Sequence, residues 1–200
     1  SFSDVITMRT FSHRLIQDFS EHASCPVING LSDERHPCQA LTDLLTIQES
    51  LGTLKNVHLA FVGDGNNVAM SLAIASAMAG MKMTLAAPKG FEFSNAFLNE
   101  LSQRYPKHAV QQVHSAADAV KSADIVYTDV WASMGQEEDA VRRMKAFGDF
   151  QVNEELMKMA PKDARFMHDL PAKRGLEVTD GVMDGSQSIV FQQAENRMHL

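Results

Sequence analysis

The chain has 200 residues, 44% hydrophobic and 22% charged, with a formal net charge of −7. That length supports one large domain, or one domain and part of a second, and the composition excludes a disordered chain. The acidic balance argues against nucleic acid and against an anionic membrane surface as partners, but not against a small anion in a locally positive pocket.

The first strand-like run, Val5–Met8, begins almost at once, and the spacing then predicts a helix over Ser12–His22. A short strand over Pro26–Ile28 precedes the polar run Asn29–Arg35, which reads as a boundary near Gly30–His36. A long amphipathic helix follows over Gln39–Leu51. Apolar runs at Val57–Val62, Met83–Ala87, Ala109–Val113, Ile125–Thr128, Arg165–Met167 and Ser188–Phe191 read as further strands. Helical patterns at Asn67–Ala79, Asn95–Arg104, Ala116–Ser122, Gln136–Phe147 and Asn153–Met159 alternate with them. Such alternation predicts βαβ units around a parallel sheet, an α/β fold of Rossmann-like, three-layer type. The last residues, Ala194–Leu200, open like a helix and stop within about two turns. Both ends read as those of a piece of a longer chain.

Cys25 and Cys38 form no CxxC pair, and no His/Cys group has zinc spacing, so no metal or organic cofactor is expected. Two reduced thiols and no signal-peptide pattern fit a cytoplasmic protein. The longest apolar stretch, Val68–Met81, is too short to span a bilayer and reads as a buried helix.

In open α/β sheets ligands bind at the carboxyl ends of the strands, so polar residues just after strands carry the functional signal. Gly63-Asp64-Gly65-Asn66-Asn67 follows the strand Val57–Val62. It is a weak dinucleotide motif, because Val68 occupies the third glycine position and no acidic residue closes the next strand. Two readings stay open: a tight turn with an Asn cap, or amide groups and helix N–H groups facing an anion or zwitterion. Asp129-Val130-Trp131-Ala132-Ser133-Met134-Gly135 combines a carboxylate, a hydroxyl and a glycine after Ile125–Thr128. An amino-acid ligand suits that set, and so does a capped turn with Trp131 in the core. His36 and Gln39, three apart at a helix start, share a face and can donate to a carbonyl or phosphate oxygen. His168-Asp169-Leu170-Pro171 places an imidazole and a carboxyl at a strand end, either as acid/base groups or as a turn before Pro171.

Together with Met8-Arg9-Thr10-Phe11, Val27–Asp33 and Ala194-Glu195-Asn196-Arg197, these segments resemble, in this order, the aspartate/ornithine carbamoyltransferase family. Ser133-Met134-Gly135 points to its ornithine branch. The resemblance implies transfer of the carbamoyl group of carbamoyl phosphate to the δ-amine of L-ornithine, in an enzyme that is usually a homotrimer. It implies that residues 1–35 are the tail of a carbamoyl phosphate domain, 36–51 a connecting helix and 52–200 an ornithine-binding domain. The family's Ser-x-Arg-Thr phosphate loop and most of its final helix have no counterpart here, so the 200-residue chain alone is expected to be nearly inactive. Arg9, His36, Gln39, Asp169, Leu170 and Arg197 would then surround carbamoyl phosphate, with His36 and Gln39 polarising its carbonyl. Asp129 and Ser133 would take the α-ammonium of ornithine, and Asn67 and the backbone at Met134 its carboxylate. His36, Asp169 and Arg197 would be the catalytic groups. One position departs from the pattern: the family usually has Cys beside the reacting amine, where this chain has Asp169. A carboxylate there could orient the δ-ammonium or accept its proton. Other acceptors, such as putrescine, and a non-catalytic amino-acid-binding module are the alternatives.

Overall fold

The computed structural model describes residues 3–132 and 139–200. It contains two parallel sheets. The smaller pairs β1 (Ile6–Arg9) with β2 (Val27–Leu31), joined by α1 (His13–His22). Then α2 (Pro37–Leu51) leads into the larger unit, with Pro37 in its first turn and Gly52 closing it at φ 75°.

The larger sheet is built from β3 (His58–Val62), β4 (Lys82–Ala86), β5 (Ala109–Val113), β6 (Ile125–Thr128) and β7 (Arg165–His168). Its strand order is β5-β4-β3-β6-β7, all parallel. The chain therefore winds outward through α3 (Asn67–Ala79) and α4 (Asn95–Arg104), then returns past β3 through α5 (Ala116–Val120). Right-handed crossovers put helices on opposite faces before and after that reversal. On one face α2 packs on α3 and on α9 (Val190–Asn196). On the other, α5 packs on α7 (Glu154–Met159), which touches the short α8 (Asp180–Met183). Helix α6 (Ala140–Phe147) precedes α7.

The apolar strand runs supply the core: Leu59, Phe61, Met83, Leu85, Ile125 and Phe166 are fully buried. Sheets buried on both faces read as continuous apolar runs, which is why these strands are visible in the sequence. The expected α/β, parallel-sheet architecture is the one observed.

Three expectations change. Strand β2 runs on to Leu31, through the stretch read as a boundary. Gly30 is there for close packing: a Cβ on it would lie 3.1 Å from the Met8 carbonyl oxygen. Ser188–Phe191 is not a strand. Ser188 makes a single bridge to Phe166, and Val190 opens α9. A short apolar run cannot separate strand from helix, and two of the three residues α9 buries, Gln193 and Asn196, are polar. Helix α8 was not expected at all. The part of the expected helix before residue 139 lies outside the described residues.

Candidate functional site

The reversal in strand order falls between β3 and β6, and in such sheets the crevice at that point receives the ligand. The register fixes what lines it. Val62 pairs with Thr128, and Thr128 with His168. The next residues, Gly63, Asp129 and Asp169, leave the sheet side by side. The carboxyl ends of β1 and β2, with the start of α2, form the facing wall. Between them lies a cleft of about 830 Å³, whose lining includes Arg9, His36, Gln39, Asn67, Asp129, Asp169, Leu170 and Arg197. All eight were picked out in the sequence. Ser133 and Met134 lie outside the described residues.

His36 caps α2 through its backbone and is buried. Its N–H donates to Ser71 Oγ at 2.8 Å, and its buried Nδ1 has no hydrogen-bond partner among the described residues. Burial first, then the charges of Arg197 and Arg9, lowers its pKa to about 4. The imidazole is therefore neutral at neutral pH, with one N–H to donate.

Gln39 is held from behind. Its Nε2 donates to Asp43 Oδ1 at 2.9 Å, leaving Oε1 as the end turned away from Asp43. Asp43 Oδ1 also accepts from Gln193 Nε2 at 2.6 Å, and Oδ2 from the Tyr127 hydroxyl at 3.1 Å. Gln193 Oε1 in turn accepts the His168 N–H. One buried network thus joins α2, β6, β7 and α9. Burial raises the Asp43 carboxyl to about 7, against the lowering effect of those three donors.

The loop after β3 is shaped by a near contact: a Cβ on Gly65 would lie 2.8 Å from the Phe93 nitrogen. Asn66 then caps α3, its Oδ1 accepting from the Val68 and Ala69 N–H groups. Its Nδ2 donates to Asp129 Oδ2 at 2.7 Å. Asn67 donates Nδ2 to the Ser32 carbonyl at 2.7 Å, so one N–H of that amide remains for a ligand. Asp64 also lines the cleft and is paired with Arg143, Nη1 to Oδ2 at 2.5 Å. Arg143 reaches the Trp131 carbonyl as well and lies over Phe91.

Asp129 accepts the Val130 N–H on Oδ1 at 2.6 Å, and burial raises its pKa. Asp169 has a side chain only 10% exposed, and its Oδ1 has no hydrogen-bond partner among the described residues. Burial pushes its carboxyl well above the usual range, and the charges of Asp129 and Asp43 push the same way. His168 is turned inward: Nδ1 accepts the Leu170 N–H and Nε2 faces Glu177 at 3.2 Å. Leu170, at φ 59° before a cis peptide to Pro171, brings the loop against the cleft.

The sequence reading missed Asp64, Asn66 and Asp43. The first two were within a segment already singled out. Asp43 sits inside a helix with no spacing signal, and only the tertiary fold shows what it holds.

Residues 1–49 match the family model for the carbamoyl-P binding domain of aspartate/ornithine carbamoyltransferase, and residues 55–200 match that for its Asp/Orn binding domain. The chain is 50% identical over 200 residues to an ornithine carbamoyltransferase of Anoxybacillus flavithermus, covering 99% of this chain and 64% of that protein. It is 48% identical to an anabolic ornithine carbamoyltransferase of Pyrococcus furiosus, again covering 64% of it. A solved ornithine carbamoyltransferase from P. furiosus superposes with a TM-score of 0.94 over 99% of this chain and 64% of that one. The ornithine transcarbamoylase structure from Giardia lamblia, 31% identical, gives 0.91 over 99% of this chain and 67% of that one. The chain thus spans just under two thirds of the length of these curated relatives.

Proposed function

The chain belongs to the aspartate/ornithine carbamoyltransferase family, and we propose that its protein transfers the carbamoyl group of carbamoyl phosphate to the δ-amine of L-ornithine, giving L-citrulline and phosphate. The observation that carries this reading is one cleft with Arg9, His36 and Arg197 among its lining and Asn67 and Asp129 facing them.

Arg9 and Arg197 supply cationic donors for the phosphate and carbamoyl oxygens, and the loop at Leu170 closes around the carbamoyl group. The neutral His36 donates one hydrogen bond to the carbamoyl oxygen as negative charge builds there. Gln39, its NH₂ held by Asp43, offers Oε1 to the carbamoyl NH₂, a different role from polarising the carbonyl. Asp129 receives the α-ammonium of ornithine, and Asn67 donates its remaining N–H to the carboxylate. By the family resemblance Ser133 and the backbone at Met134, outside the described residues, belong to the same amino-acid site. The δ-ammonium loses its first proton to Asp169, which stands at the strand end next to Asp129. The freed lone pair attacks the carbamoyl carbon, and the bond from that carbon to the phosphate oxygen breaks as the nitrogen's second proton passes to the departing phosphate.

The division into 1–35, 36–51 and 52–200, a homotrimer and a cytoplasmic setting belong to the same reading and rest on the family resemblance. Among the described residues no helix is long and apolar enough to cross a membrane. A relative named as anabolic supports a place in arginine biosynthesis.

Turnover of the full-length protein with carbamoyl phosphate tests the reading. Citrulline should form from L-ornithine in preference to the corresponding product from putrescine. Preference for putrescine would overturn the acceptor, and ornithine binding without citrulline would reduce the cleft to an amino-acid-binding site.

A further inference from the structure

Asp129 and Asp169 follow strands paired in parallel, with Thr128 opposite His168. They therefore occupy equivalent positions on adjacent strands, roughly 5 Å apart along the direction of strand pairing. Both line the cleft, Asp129 buried and Asp169 with a side chain only 10% exposed. Two carboxyl groups held this close and away from water do not both ionise readily, so one of them keeps a proton. The donors already on Asp129, Asn66 Nδ2 and the Val130 N–H, favour its charged form. Asp169 accepts no such donor on Oδ1, which is buried and unpartnered among the described residues.

We infer that Asp129 and Asp169 form one proton-sharing pair, Asp169 carrying the proton in the empty cleft, and that an entering ammonium group displaces this proton to solvent. The inference rests on the reading of the cleft as an ornithine site and adds a proton to its binding equilibrium. The empty pair has one negative charge. With the ligand bound it has two, facing the ammonium groups, and one proton has passed to the buffer. Only then is Asp169 free to accept the proton of the δ-nitrogen.

The surrounding groups set the balance. Asp43 on α2 opposes a second negative charge on the pair, while the phenol of Tyr127 on β6 stays neutral and donates to Asp43. His168 on β7 lies 3.5 Å from Asp169 Oδ1. Across the cleft stand Asp64, paired with Arg143, and the cations Arg9 and Arg197. Lys173, His36 and Asp33 complete its titratable lining. An added ammonium is the change in charge that tips the pair.

Two measurements on the full-length protein, with inorganic phosphate present, decide. Calorimetric titration with L-ornithine in buffers of different ionisation enthalpy should give buffer-dependent heats equivalent to about one released proton. An infrared difference spectrum should show a carboxylic-acid carbonyl band disappearing as ornithine binds. Release of a proton from the ligand's own δ-nitrogen would leave that band in place. Asp169→Asn should abolish the band. A wild-type protein without the band, or a band that survives in Asp169→Asn or persists with ornithine bound, overturns the inference. If ornithine does not bind at all, the proposed function falls and the inference with it, whereas ornithine binding beside an unchanged band defeats the inference alone.

Discussion

His36 and Asp43 show how burial, as the largest influence, sets chemical state. His36 is neutral down to about pH 4, whereas the unfolded chain protonates it near 6.5. As pH falls below 6.5 the unfolded state takes up the proton first, so the stability His36 contributes at higher pH is lost on the way down to 4. Asp43 acts in the opposite sense. Its folded carboxyl is raised from 3.8 to about 7, so the folded state binds a proton across that window. Its contribution is full below 3.8 and is lost as pH rises through 7. The two slopes oppose each other. His36→Gln should therefore make the protein less sensitive to acid, and Asp43→Asn should make it more sensitive, in urea midpoints measured between the two titration limits. In catalysis, His36→Gln removes a donor to the developing oxyanion and should lower turnover about 10²–10³-fold, with the protein still folded by circular dichroism. The acid limb of the wild-type rate profile should not carry an imidazole pKa near 6.5, since His36 does not ionise there.

Most strands and helices could be read in the sequence because apolar runs and caps are local. What could not be read was any feature decided by a distant neighbour. Gly30 lies in a stretch that reads as a boundary, yet it is a packing contact with β1. The residues that anchor α9 look like surface amides, yet Gln193 and Asn196 are buried. Their partners are Asp43 and Thr46, both 150 residues away in the chain. Removing Gln193 takes one of three donors from the Asp43 carboxyl and strands the buried His168 N–H, so Gln193→Ala should cost about 1–3 kcal/mol in denaturant unfolding. The loop after β3 makes a second test. Gly65→Ala puts a methyl group 2.8 Å from the Phe93 nitrogen and 2.9 Å from the Glu92 carbonyl carbon. Backbone cannot yield as a side-chain tip can, and overpacking of this kind costs about 1–3 kcal/mol. The displaced loop carries Asn66 and Asn67, so the apparent KM for ornithine should rise more than stability alone explains.

Convergence of four distant segments on one cleft was foreseeable from the rule that parallel sheets bind at their carboxyl ends. The pairing of Asp129 with Asp169 was not, because it depends on register across β6 and β7. The junction between the two sheets holds a similar surprise. The polar stretch before α2 reads in the sequence as a boundary. Yet the Ser32 carbonyl is bonded to Asn67 and the His36 N–H to Ser71, so both ends of that stretch are fastened to α3. Arg35, between them, reaches Glu100 and lies over the ring of Phe97. Ser32 and Asp33 are bonded as well to His13 and Phe11 on the small-sheet side, so the stretch clamps the two sheets to each other, and rocking of one against the other must break bonds at one end of it. Hydrogen exchange should show the His36 amide as slow as those of α3.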